Sequence, residues 1–233
     1  NGHLIGSDRA PKGWINGTSE NFDRSLNFRT SIHDVNTSMV FYFGSIKKKE
    51  RIPFLNAYVR AGIGVGYFDV FGDLKDANGN NYNYWSDGTI RSLNESSANA
   101  QNAEIVTRDK NFETNLSELE IEKSYNRFKW QIPVGLGLKM RLGDAVSLVL
   151  DAQYTYNMTD YLDNVGDNKT SSTITDPNIL YAADPAGFIG DQPRNINSST
   201  GINDSYLYVN AGLTFNVGDN SKPKFKTPIF YPK

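Results

Sequence analysis

The chain has two histidines, His3 and His33, and no cysteine. Disulfides, thiolate nucleophiles and cysteine metal sites are therefore closed to it. His33 stands beside Asp34, a pair that could supply a general base to a hydrolase or acyltransferase. No HExxH or GxSxG motif accompanies the pair, so no nucleophile or metal is in place for it to serve. A local bulge in a strand explains the pair better, and the chain is expected to be no enzyme. The segment Asp73-Leu-Lys-Asp76-Ala-Asn78-Gly79-Asn80 sets oxygen ligands around a turn glycine, the donor chemistry calcium takes. It lacks the EF-hand spacing and the closing Glu, and an Asn-Gly turn explains it more simply. No metal and no cofactor is expected. Three glycosylation sequons, at Asn16, Asn94 and Asn168, fall in Asn- and Ser-rich stretches where they arise by chance.

The remaining charges of interest are Arg60, Arg127, Lys129, Lys139, Arg141 and Asp151. They matter because of what flanks them. In 128–142, Phe128, Trp130, Ile132, Val134, Leu136, Leu138, Met140 and Leu142 occupy every even position. Lys129, Gln131, Pro133, Gly135, Gly137, Lys139 and Arg141 occupy the odd ones. A strand turns successive side chains to opposite faces, so one face here is apolar throughout and the other polar or small. A strand crossing a bilayer needs about 9–11 residues in this pattern, longer than the usual strand of a soluble sandwich.

The pattern recurs. In 54–71 the apolar phase carries Leu55, Ala57, Val59, Ala61, Ile63, Val65 and Tyr67. In 146–158 it carries Leu148, Leu150, Ala152, Tyr154 and Tyr156, and in 206–217 it carries Leu207, Val209, Leu213 and Phe215. Segment 26–43 changes phase, from Leu26, Phe28 and Ile32 to Val35, Met39, Phe41 and Phe43, and a bulge near His33-Asp34 would reconcile the two. The fold class predicted is all-β, an antiparallel transmembrane barrel. Ile63, Leu136, Leu138, Leu148 and Leu213 are expected to face lipid. The six charges are expected to form a lumen network, with Asp151 paired to Arg60, Lys139 or Arg141. A soluble sandwich or calycin-like barrel would turn the same faces the other way.

Composition permits this. Mean hydropathy is -0.52, and no apolar run is long enough for a membrane helix. The net charge of -2 gives no footprint for nucleic acid. Residues 1–27 show no signal peptide, although such a barrel must be exported, so the chain is expected to be part of a longer protein.

Connections between strands alternate short and long. Segments 44–53 and 143–145 are short, while 72–124 and 162–204 are long. Outer-membrane barrels have short periplasmic turns and long extracellular loops, which puts 1–25, 72–124 and 162–204 outside. The aromatics agree with that orientation. Tyr67, Phe128, Trp130, Tyr154 and Tyr156 fall near the outer rim, and Phe41, Phe43 and Phe215 near the inner one, as two girdles would. About five strands lie in this chain, and an eight-stranded barrel would need three more before them.

Several segments carry a resemblance. DANGNNYNYWSDGTIRSL (76–93), IPVGLGLKMRL (132–142), TDYLDNV (159–165), DPNIL (176–180) and NDSYLYVNAGLTFNV (203–217) resemble outer-membrane barrels of Bacteroidota. The nearest likeness is to the N-terminal barrel of OmpA-like proteins. TDYLDNV and DPNIL are also similar to the PorG-type barrel of the type IX secretion system. The first resemblance implies a non-enzymatic barrel that anchors or scaffolds the envelope, reaching peptidoglycan through a downstream domain. The second implies a barrel subunit of a secretion or assembly complex, with other outer-membrane or periplasmic proteins as partners. A small-solute channel ranks below both. All three share the outer membrane of a Gram-negative bacterium and its lipid.

The domain reading follows: barrel over 1–217, periplasmic linker or docking tail over 218–233. In the tail, lysines and prolines alternate around Phe225, Ile229, Phe230 and Tyr231. An extended peptide with spaced aromatics can dock by strand addition or in a groove. Lys47, Lys48 and Lys49 form a solvated run in the short turn 44–53, expected on the periplasmic side.

Overall fold

The computed structural model describes residues 2–7, 25–43, 54–121, 124–143, 145–166, 171–188, 190 and 203–215. The chain is mostly antiparallel β-sheet. Strands β1 (Gly2–Ser7), β2 (Asn27–Tyr42), β3 (Leu55–Gly72), β4 (Asn83–Tyr84), β5 (Ile90–Arg91), β6 (Thr114–Asn115), β7 (Phe128–Arg141), β8 (Val146–Asn157) and β9 (Ser205–Phe215) follow in order. The one α-helix among the described residues, α1 (Pro177–Ala183), starts at an Asp176 cap that accepts from the amides of Asn178 and Ile179. No described helix is long and apolar enough to cross a membrane.

The main sheet runs β1-β2-β3-β7-β8-β9, with β6 paired to β3. β7 and β8 form a hairpin, closed by bonds from the Leu142 and Gly143 amides to the Val146 carbonyl at 3.0 and 3.2 Å. β4 and β5 form a separate two-stranded sheet. Two expectations change. Gly2–Ser7 is a strand, paired antiparallel with β2 from Gly2↔Ile32 to Ser7↔Asn27, and not part of a loop. Its six residues, GHLIGS, are too few to establish a period of their own. β2 also needs no bulge at His33-Asp34. Thr30 and Ile32 are buried, His33 and Val35 exposed, and the alternation keeps its phase through both residues. The apolar residues change face while the strand does not, because Leu26 and Ile32 have a core to enter.

The chain divides into two compact units, and the long strands contribute to both. In the unit made of 37–63, 132–155 and 206–233 the usual burial is inverted. Ser147, Asp151, Gln153 and Thr155 of β8 are buried, while Ile63, Leu136, Leu138, Leu150, Leu213 and Phe215 are exposed. In the other unit, made of 1–36, 64–131 and 156–205, apolar side chains are buried. Phe68 and Val70 of β3 join Leu74, Phe112, Leu116, Ile121, Tyr161, Leu162 and Val165 from the long connections. Although these segments are long connections without a sequence period, they carry a core.

Candidate functional site

The polar face of the inverted unit holds one well-defined cluster. Arg60 of β3 reaches Asp151 of β8, Nη2 to Oδ2, at 3.0 Å. The same Nη2 donates to Gln153 Oε1, and Gln153 Nε2 donates to Thr155 Oγ1 at 2.8 Å. Asn210 of β9 donates to Asp151 Oδ1 at 3.0 Å. Asp151 is therefore met on both carboxylate oxygens, which a buried charge requires. Glycine at 135 makes room for the cluster: a Cβ there would lie 3.0 Å from Arg60 Nε and 2.8 Å from the Ala152 carbonyl.

The other expected members of the network lie elsewhere. Lys129 and Lys139 are half-buried, and neither enters an ion pair among the described residues. Arg141 turns to its own hairpin and donates to the Gly143 carbonyl at 3.0 Å. Arg127 departs from the set altogether. It pairs with Asp69 at 2.5 Å, lies over the Tyr67 ring at 5.6 Å, and so shares the face of Tyr67 and Phe128, whose rings are 4.8 Å apart. Parity placed it with the lumen charges, but it precedes the first residue of β7, where alternation does not yet hold.

Of the residues expected to face lipid, Ile63 is 65 % and Leu136 64 % exposed. Leu138 and Leu213 are also exposed, and Leu148 is half-buried. Of the girdle residues, Phe41, Phe43, Phe128, Trp130, Tyr154 and Phe215 are exposed, with Tyr67 and Tyr156 half-buried. The tail residues Phe225, Ile229, Phe230 and Tyr231 lie outside the described residues, as do Lys47, Lys48, Lys49, Asn16 and Asn168.

The second candidate region is the core beneath the long connections, which no periodic pattern in the sequence marks. Its polar centre is Asp73, which is 1 % exposed. Asp73 accepts from the Tyr82 hydroxyl at 3.2 Å and from the Lys110 amide at 3.0 Å. Its backbone and the Asn27 side chain exchange two further bonds, at 3.0 and 2.8 Å. Burial pushes the Asp73 carboxyl up, against the pull of the Lys110 amide. Burial likewise holds the Tyr82 phenol at about 12, so it stays a donor. Tyr181 on α1 ties the same region together, donating to the Leu74 carbonyl at 2.9 Å and accepting from the Tyr82 amide at 3.0 Å. The clue available in sequence was the density of Tyr, Phe and Leu in segments read as polar loops.

The calcium-like segment is a turn. Asp76 Oδ1 accepts from the amides of Asn78 and Asn80 at 2.9 and 2.8 Å, and Gly79 takes a φ of +81°. Bonds from the Asn80 backbone above all hold the Asp76 carboxyl below its usual range. No group of three or more metal-ligating side chains exists among the described residues. His33 is exposed, while His3 Nδ1 meets Ser31 Oγ at 3.2 Å.

No family model, no curated protein and no solved structure matches this chain.

Proposed function

We propose that this chain belongs to a non-enzymatic, eight-stranded outer-membrane β-barrel that anchors or scaffolds the cell envelope. The observation that carries the reading is the inverted burial of one unit. Asp151, Gln153 and Thr155 are buried there while Ile63, Leu136 and Leu213 are exposed. In water a continuous apolar face of that kind is a large exposed patch, rare on soluble monomers. In a bilayer it is what a spanning strand must present. The paired Arg60–Asp151 cluster favours a filled interior over a conducting one. That leaves a mechanical role: the apolar band sets depth in the outer membrane, and the long connections face outwards.

The test is depth-resolved spin labelling in vesicles. A label at Leu136 should respond to oxygen dissolved in lipid, and one at Lys139 should sit in a polar, crowded interior. Leu136→Arg should cost about 2–4 kcal/mol if the site is near the midplane. Water exposure at Leu136 together with lipid exposure at Lys139 would sink the barrel. Large, stable currents in planar bilayers would reject the filled interior and promote a channel.

A further inference from the structure

We infer that residues 108–113 form a strap across the start of β2 and the end of β3, clasped by the Asp73 carboxylate, which holds closed in acid and loosens towards neutral pH. All of its parts lie within one unit, and it stands whether or not the chain spans a membrane. The strap is fixed at both ends. Arg108 donates from Nη2 to Ser7 Oγ of β1 at 2.8 Å. Just past residue 113, β6 pairs with β3, Thr114 with Gly72 and Asn115 with Phe71. Between these ends the Phe112 ring is buried, and its centroid lies 5.0 Å from the Arg29 guanidinium of β2. Glu113 Oε1 accepts from the Leu74 amide at 3.1 Å. The middle hangs on Asp73. Its Oδ2 accepts from the Lys110 amide at 3.0 Å, and its Oδ1 from the Tyr82 hydroxyl at 3.2 Å. That hydroxyl accepts in turn from the Asp109 amide at 3.0 Å. Asn27, the first residue of β2, brackets the Asp73 backbone with two more bonds. One carboxylate therefore joins the strap to both strands.

Two observations make this clasp a movable one. First, the strap is strained. Lys110 and Phe112 both sit in the left-handed region, with φ of +62° and +51°. Residues with a Cβ occupy that region at a cost, and stay there only where surrounding contacts impose it. Lys110 is the residue whose amide Asp73 holds. A segment held in this way is the first to open when the hold weakens. Second, the hold is a buried carboxyl that enters no ion pair among the described residues. The groups facing it are Tyr82, the Lys110 amide, Arg108 and Asp109, with Glu113 and Tyr181 behind them on Leu74. Burial raises the carboxyl above the ordinary aspartate range. The Lys110 amide opposes that shift, Asp109 adds to it, and Tyr82 and Arg108 oppose it. The closed strap therefore holds the Asp73 proton more tightly than the open one, in which the carboxyl meets water and titrates near 3.9. As pH rises from that value through the higher one of the closed state, opening becomes steadily easier, and then levels off.

The experiment is hydrogen exchange of the full chain in detergent micelles, read by mass spectrometry from pH 4 to 7.5 and corrected for the intrinsic rate. Protection of the peptide covering 108–113 should fall about threefold or more over that range, while 132–141 holds steady. Asp73→Asn should flatten the 108–113 profile. Tyr82→Phe removes a bond to the ionised carboxyl and should move the midpoint of the fall up. Asp109→Asn removes a charge that raises it and should move the midpoint down. Asp204→Asn should leave the profile as in the wild type. A flat wild-type profile overturns the strap. A fall that survives Asp73→Asn overturns Asp73 as its clasp, and a fall of equal size in 132–141 overturns local opening in favour of a loosening of the whole chain. Should Asp73→Asn not fold, the midpoints decide, and midpoints that ignore both Tyr82→Phe and Asp109→Asn overturn the assignment. None of these readouts needs a bilayer, so a failed strap leaves the outer-membrane reading standing, and a failed barrel leaves the strap.

Discussion

The two units of this chain bury opposite kinds of side chain. One keeps Asp151, Gln153 and Thr155 inside and leaves leucines and phenylalanines exposed. The other buries Phe68, Val70, Leu116, Ile121 and Leu162 in the manner of an ordinary soluble core. The same strands contribute to both. β3 shows the contrast within one element: Ile63 is exposed on one phase, and Phe68 and Val70 are buried on the other. Alternation is therefore constant along the strand, and what changes is which phase carries the apolar residues. The first unit has polar pairing as its internal glue, while the second has the hydrophobic effect. Under the proposed outer-membrane reading, lipid and water would select that contrast along a single strand.

The largest effect should come from breaking the polar glue. Asp151→Leu alone leaves the half-buried Arg60 beside Gln153 without its carboxylate. An unpaired charge costs about 3–5 kcal/mol when fully buried, which sets the upper bound for the partly exposed Arg60. The double variant Arg60→Leu/Asp151→Leu should recover most of that loss, since a buried pair replaced by apolar groups is often neutral. Urea unfolding of the reconstituted chain measures both. Equal destabilisation by the single and double variants would show that the pair is not what holds this interior, and the comparison would lose one of its sides.

The second test attacks the other unit. Leu116 is 1 % exposed, and its side chain would lie 3.2 Å from a Cβ at Gly72. Leu116→Ala should cost about 2–5 kcal/mol through lost burial and the cavity left behind. Hydrogen exchange should rise across the core segments 108–121 and 159–166 and stay unchanged in Ile132–Arg141. Leu138→Ala, the same deletion on an exposed face, should cost far less in detergent. A uniform rise in exchange would mean that the two units unfold as one.

How far the sequence could be read follows the same division. The long strands were legible because their period of two persists well past the length of an ordinary strand. Observed and expected limits agree closely for 128–142, seen as Phe128–Arg141. β1 was not legible, since its register partner β2 supplies the information that GHLIGS lacks. The pairing of Asp151 was legible only as a choice among Arg60, Lys139 and Arg141. Choosing between them needs the cross-strand register, which no single strand contains. Arg127 was misassigned because parity was carried one residue beyond the strand. The core under the long connections was missed because Leu74, Tyr82, Phe112 and Leu116 follow no period. Their burial comes from turns such as the one Asp76 closes, and turns leave no periodic trace.

The smallest predicted effect sits where β9 begins. Asp204 accepts from the Leu162 amide at 2.7 Å, and its own backbone bonds Thr159 and Asn157 at 2.8 and 3.0 Å. Burial lifts its carboxyl to about 6, the Leu162 amide opposes that shift, and Asp160 adds to it. An unfolded aspartate titrates near 3.9, so between about pH 4 and 6 the folded state holds more protons than the unfolded one. Stability from this group is therefore greatest at low pH and falls as pH rises towards 6, the reverse of a salt-bridged aspartate. The loss by neutral pH should be on the order of 1–2 kcal/mol, discounted for partial exposure. Asp204→Asn keeps an oxygen for the Leu162 amide and removes the buried charge. It should be more stable than the wild type at pH 7.5 and equal to it at pH 4. Asp73, also raised by burial, titrates in both proteins and cancels in the difference. A difference curve that stays flat from pH 4 to 7.5 would show that the Asp204 carboxylate is solvated in the folded state.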